Sequence, residues 1–205
     1  MKEKLVVLEA TEGVAIVEML EGNFVKAQEY CEKALEEYMT LLGNHSQPRL
    51  RALHNLGEIH GAQGNFTHII ELFKEAVAGC EESLGPDHLL TFREVEGLGN
   101  TYRVQNLYDN AEKYYLQALE RMKKQLSNNH PDLLGVVEGF AIIRKSQRHF
   151  DESVELYETA LKGDEEHLSV NHPDTLNVIE GLGDVYAAQN NITKALSLYE
   201  RVKGG

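Results

Sequence analysis

The side chains best suited to chemistry recur at a fixed interval. His88, His130 and His172 are 42 residues apart. A row of carboxylates keeps the same interval, with Glu12, Glu96, Glu138 and Glu180 in register and His54 in the second place. Imidazoles could ligate a metal, and aligned carboxylates could focus a negative potential on a cation. The interval itself argues against metal. Packed helices lie about 8–10 Å apart, whereas zinc needs each imidazole nitrogen at about 2.0–2.1 Å. One histidine per repeat cannot readily share an ion, so these residues are expected to shape their loops by hydrogen bonding. The two cysteines, Cys31 and Cys80, form no CxxC pair. That leaves neither a disulfide framework nor a zinc site. Glu81 and Glu82 follow Cys80 and disfavour a thiolate. No GxSxG, P-loop or HExxH motif is present. No catalytic residue, metal or cofactor is expected, and the chain does not read as an enzyme.

Composition narrows the class further. The chain has 205 residues, 42% of them hydrophobic and 26% charged, which is globular rather than disordered. Its 20 Lys+Arg against 33 Asp+Glu give a formal charge of −13. So acidic a chain is a poor match for a phosphate backbone or an anionic membrane surface. No apolar run reaches the length of a membrane span, and Met1–Glu9 lacks the apolar core of a secretory signal. A cytoplasmic location is expected, with no nucleic-acid or membrane partner.

The elements that carry these residues repeat with them. Phe24, Phe66, Tyr108, Phe150 and Ile192 follow a short polar turn, each 42 residues after the last. Ala15, Gly57, Gly99, Ala141 and Gly183 keep step, as do Cys31, Phe73, Tyr115, Tyr157 and Tyr199. Within a unit the apolar positions have helical spacing. Leu53, Leu56, Gly57 and His60 share one face before the turn; Tyr108, Ala111, Tyr115, Ala118 and Met122 share one after it. Pro131-Asp132 and Pro173-Asp174 open a first helix, where the missing proline N–H costs nothing. One such hairpin cannot bury its apolar face alone, whereas stacked hairpins can. No period-two alternation occurs, so no sheet is expected.

Tyr108, Ala111, Tyr115 and Ala118, with a small residue in the helix before them, resemble the tetratricopeptide pattern. The 42-residue unit and the loop Leu168-Ser169-Val170-Asn171-His172-Pro173-Asp174-Thr175-Leu176 are similar to the kinesin-light-chain class of that repeat. Leu50-Arg51-Ala52-Leu53-His54-Asn55-Leu56 is close to it as well. The resemblance implies an all-α, right-handed α-solenoid of about five helix-turn-helix hairpins. It forms a single array over 1–205, with units at about 5–46, 47–88, 89–130, 131–172 and a truncated 173–205. Ile69 and Ser153 stand where alanine is usual. The last unit ends without a polar cap, which predicts a longer chain or an end covered by another chain.

The resemblance further implies that first helices line a concave groove holding a peptide. On this chain that surface is expected to include Glu12, Arg51, His54, Asn55, Glu58, Arg93, Glu96, Asn100, Arg103, Glu138, Lys145, Glu180 and Asp184. Asn55 alone keeps the asparagine that the family turns toward peptide backbones. The ladder residue is followed by glycine at Gly13, Gly97, Gly139 and Gly181. Glycine costs about 0.5–1 kcal/mol against alanine inside a helix, so something must approach closely there. Two readings stand. The glycines could floor an acidic groove for a basic peptide, against the acidic peptides that kinesin light chains take. Alternatively, Arg51, Arg93, Arg103 and Lys145 neutralise the ladder and the glycines serve helix packing.

The expected function is a protein-interaction scaffold for a protein or peptide partner, a basic one on the acidic-groove reading. The alternative is an oligomerisation or spacer segment of a larger signalling protein. Ile16, Met19 and Leu20 are expected on the groove side, and Leu196, Leu198, Tyr199 and Val202 at the far end. A homodimer through an open solenoid end is a further possibility.

Overall fold

The computed structural model describes residues 2–204, which form ten helices and no strand among the described residues. They divide into two compact units, Met1–Gln105 and Asn106–Gly205. The first holds α1 (Lys2–Leu20), α2 (Phe24–Leu42), α3 (Gln47–Ala62), α4 (Phe66–Ser83) and α5 (Leu89–Val104). The second holds α6 (Tyr108–Met122), α7 (Pro131–Ser146), α8 (Phe150–His167), α9 (Pro173–Ala188) and α10 (Ile192–Gly204).

The turn inside each hairpin has one geometry. Residue 22, 64, 106, 148 or 190 takes a positive φ, as Gly22 (81°), Gly64 (72°), Asn106 (60°), Arg148 (65°) and Asn190 (63°). Gly22 N–H bonds Met19 O and Asn23 N–H bonds Glu18 O; the turns at 64, 148 and 190 repeat this pair of bonds. This is the Schellman arrangement, which satisfies the last helical carbonyls and reverses the chain in three residues. Glycine meets the left-handed position without strain. Arg148 must bear its Cβ there.

The loop histidines cap the helices that follow them. His88, His130 and His172 each accept, through Nδ1, the backbone N–H two residues on, from Leu90 (3.2 Å), Asp132 (3.3 Å) and Asp174 (3.3 Å). An imidazole thus does the work that a serine or aspartate does at most N-caps. Thr91 and Thr175 close the same loops onto Gly85 O and Ser169 O.

The core follows the small-and-aromatic pattern. In the first unit Ala15, Ala27, Cys31, Leu56 and Ile59 make one cluster, and Leu8, Ala34, Tyr38 and Ala52 another. Met19 packs against the first of these rather than facing a groove. In the second unit Tyr115, Tyr157, Ile143 and Ile179 are fully buried. Ser153, in an alanine position, survives burial because its hydroxyl donates to Ala141 O at 2.8 Å.

Aromatic rings account for three of the four ladder glycines, Gly97, Gly139 and Gly181, whereas a Cβ on Gly13 would meet nothing within 4 Å. A Cβ on Gly97 would stand 2.9 Å from the Phe73 ring, and one on Gly181 2.6 Å from the Tyr157 ring. Gly139 seats Tyr115 in the same way. The close approach is made by the preceding helix of the same unit, so the glycines serve packing. At the equivalent position after Cys31, a smaller side chain, the chain has Asn55 instead of glycine.

Candidate functional site

In the first unit, α1, α3 and α5 enclose a cleft of about 430 Å³. Glu9, Glu12, Gly13 and Ile16 line it from α1. Gln47, Leu50, Arg51, His54 and Asn55 come from α3, Cys80 from α4, and Leu90, Arg93 and Glu94 from α5. Its floor is a hydrogen-bonded network around Glu12, which is only 3% exposed. Tyr38 Oη donates to Glu12 Oε2 at 3.0 Å, Arg51 Nη2 to the same oxygen at 2.7 Å, and Asn55 Nδ2 to Oε1 at 3.3 Å. A carboxylate can be buried only with such partners. Burial and the Glu12 charge push the Tyr38 hydroxyl well above its ordinary range, and the Glu12 hydrogen bond holds Arg51 more firmly protonated. His54 Nδ1 lies 3.1 Å from Glu94 Oε2, and its ring meets Phe73 edge-on at 5.4 Å.

Five of the expected residues therefore meet in one place: Glu12, Arg51, His54, Asn55 and Arg93. Glu58 and Asn100 line a separate slot of about 250 Å³ between α3, α4 and α5, floored by Gly57, Gly61, Gly97 and Phe73. Arg103 donates to Asn100 Oδ1 at 3.3 Å. Glu96 and Glu138 are half-buried and already engaged. In the second unit Lys145 Nζ pairs with Asp184 at 2.9 Å, and Tyr199 Oη donates to the other Asp184 oxygen at 2.9 Å. Burial alone would raise the Asp184 carboxyl; these two bonds outweigh it and hold it below its ordinary value. Glu180 stays exposed. The carboxylates thus share a register without forming a row of free acids. Arg51 neutralises Glu12 from a neighbouring helix, while Arg103 goes to Asn100 and Lys145 to Asp184 rather than to the ladder. Ile16 faces the cleft as expected, whereas Leu20 points away and is 78% exposed.

Tyr38 and Glu94 belong to the site and were missed. Each had a signal. Glu94 occupies the register of Ala52, Val136 and Val178, where a carboxylate is out of place unless a partner such as His54 waits. Tyr38 shares a register with Cys80 and Met122, a core position given a hydroxyl. The cysteines are inert by position. Burial, then Glu12, pushes the Cys31 thiol up to about 12, and burial, then Glu94, pushes Cys80 to about 11. Among the described residues no group of three or more His, Cys, Asp or Glu could hold a metal ion. No described helix is long and apolar enough to cross a membrane.

Paired helices joined by Schellman turns and stacked through ring-on-glycine contacts define an α-helical hairpin repeat. The tetratricopeptide repeat profile matches residues 7–82, 48–124, 91–166 and 136–203, and the chain belongs to that family. No characterised protein sequence matches it significantly. Among solved structures, a kinesin light chain-like repeat protein of Podospora anserina is 23% identical, with a TM-score of 0.80 over 96% of this chain and 93% of that one. BtubC of P. vanneervenii is 20% identical, with a TM-score of 0.85 over 97% and 79%. A Rap protein complexed with competence and sporulation factor is 14% identical, with a TM-score of 0.75 over 94% and 52%. These likenesses show the fold, an all-α helical repeat, and the tetratricopeptide repeat is commonly used as a protein-interaction scaffold.

Proposed function

We propose that the chain is an interaction module, not an enzyme, and that the α1–α3–α5 cleft grips a peptide segment of a protein partner. The observation that carries this reading is the state of the charges in the cleft. Glu12 is satisfied three times over and Glu94 is matched by His54, so the buried acids do not call for an external cation. Arg93, exposed at the rim, has no hydrogen bond or ion pair among the described residues. Ile16, Leu50 and Leu90 supply an apolar wall beside it. A peptide with an apolar anchor and an acidic neighbour fits that arrangement better than a basic one. Apolar concavities with a few placed polar groups are the usual form of such sites. The Rap protein solved with a bound factor supports the use of this fold for ligand capture.

A peptide-display selection on the purified chain tests the proposal. Enriched peptides are expected to carry an apolar residue flanked by Asp or Glu, and Arg93→Glu is expected to lose them. Enrichment of Lys/Arg-rich peptides would restore the acidic-groove reading. No enrichment would leave the oligomerisation or spacer reading.

A further inference from the structure

Three hairpins tie the last turn of their first helix to the first turn of their second with a cation. In the first hairpin Lys26 Nζ lies 4.0 Å from Glu18 Oε1. In the fourth, Arg144 Nε lies 2.9 Å from Glu152 Oε2. In the fifth, Lys194 Nζ stands 4.5 Å from the centre of the Tyr186 ring and donates to its hydroxyl at 3.3 Å. Tyr102 and Asn110 hold these positions in the third hairpin, and His60 and His68 hold them in the second. The two imidazoles stack, with 5.1 Å between centres and 26° between planes. His60 is 5% exposed, and its Nδ1 is buried with no hydrogen-bond partner. His68 is exposed, and its Nδ1–H donates to Asn65 Oδ1 at 2.9 Å, which steadies that ring over the first. The titratable groups that bear on His60 are His68 from α4 and Glu32 from α2, with Gln63 beside it in the turn.

We propose that the His60–His68 pair makes the α3–α4 hairpin a proton-sensitive joint, closed while both rings are neutral and loosened when acid charges them. The chemistry of imidazole carries the argument. A neutral ring has one N–H, so His60 can keep its proton at Nε2 and leave Nδ1 as a buried lone pair. Protonation adds an N–H at Nδ1, where no acceptor reaches, and a buried donor left unmet is costly. A second proton falls on the stacked ring, where the fourth hairpin has a carboxylate. Two charges then repel at a place where Arg144 and Glu152 attract. Burial first, then His68, accordingly lower the His60 pKa below its ordinary 6.5, against the pull of Gln63 and Glu32. A histidine lowered in the folded chain contributes fully above pH 6.5, and that contribution is lost as pH falls from there toward the lowered value. Helix α3 also carries Arg51, His54 and Asn55 of the cleft, so the joint lies on one of the cleft's own walls. The device belongs to the bare chain and does not depend on what the cleft binds.

The test uses the full chain and two variants. His60→Tyr removes the buried imidazole, and Tyr102 and Tyr186 show that the register accepts a tyrosine. His68→Glu leaves His60 in place and gives it the carboxylate that Arg144 has in Glu152, so the test survives if His60→Tyr does not fold. Histidine-ring NMR is expected to show His60 titrating below 6.5 in the wild type and moving upward in His68→Glu. Amide exchange in residues 58–70, corrected for its intrinsic pH dependence, is expected to rise at least about threefold from pH 7.5 to pH 5.5 in the wild type. The same amides are expected to show no such rise in either variant. A wild-type His60 that titrates at 6.5 or above would overturn the proposal. So would acid loosening that persists in His60→Tyr, or a His60 titration that His68→Glu leaves in place.

Discussion

Gly97→Ala separates the two explanations of the helical glycines. Alanine in place of glycine inside a helix is worth about 1 kcal/mol in its favour from backbone entropy alone. The new Cβ would stand 2.9, 3.0 and 3.2 Å from three atoms of the Phe73 ring. That ring is 2% exposed, and it lies so close to the α3 backbone that a Cβ on Gly57 would stand 3.3 Å from its Cζ and 3.4 Å from its Cε2. The ring therefore has little room to retreat, and overpacking of this kind costs about 1–3 kcal/mol. The net expectation is a loss of about 1 kcal/mol, read as a lower urea midpoint with an unchanged slope. In a Phe73→Leu background the same change has no ring to meet, and its effect is expected to turn stabilising by about 0.5 kcal/mol. Gly61→Ala, whose Cβ would meet only Ile69 Cδ1 at 3.7 Å, is expected to stabilise in the wild-type background. A stabilising Gly97→Ala in the wild type would refute the ring-seat account. The glycine would then be free to serve an incoming ligand.

Three other outcomes follow from the geometry. Arg148→Gly relieves a left-handed residue and is expected to raise stability by about 1 kcal/mol in thermal or urea melts, net of the Arg148–Phe150 ring contact at 5.5 Å. Cys31 and Cys80, with thiols raised to about 12 and about 11, are expected to resist alkylation at pH 8 until urea exposes them, as read by mass spectrometry. Burial alone would raise Glu112. Its bonds from Gln147 (2.9 Å) and Arg144 (2.8 and 3.1 Å) outweigh that and hold its carboxyl below 4.5. That contribution is full above pH 4.5 and is lost as pH falls through the lowered value, so Glu112→Gln should flatten the acid limb of a stability–pH curve.

The interval of 42 residues carried the helices, the turns and the ring-and-glycine register, because each is fixed by residues within one repeat or its neighbour. The site was less legible. A ladder of carboxylates on a helical wheel says where the side chains start, not which donors reach them. Glu12 looked like a groove acid and is a buried hub, because Tyr38, 26 residues away, folds its hydroxyl onto it. His54 looked like a gap in the ladder and is the partner of Glu94, 40 residues on. Both pairings cross between helices, where sequence spacing carries no distance. His130 and His172 were legible as loop-shaping residues because a residue just before Pro-Asp stands at an N-cap, and His88, followed by Leu89-Leu90, was legible from the 42-residue interval it shares with them.

The central claim is that a partner peptide seats between α1, α3 and α5. Hydrogen–deuterium exchange on the whole chain, with and without a peptide enriched on it, addresses that claim directly. The account predicts slowed exchange in residues 8–16, 47–55 and 90–94, and no change there for Arg93→Glu. Protection confined to the second unit would contradict it.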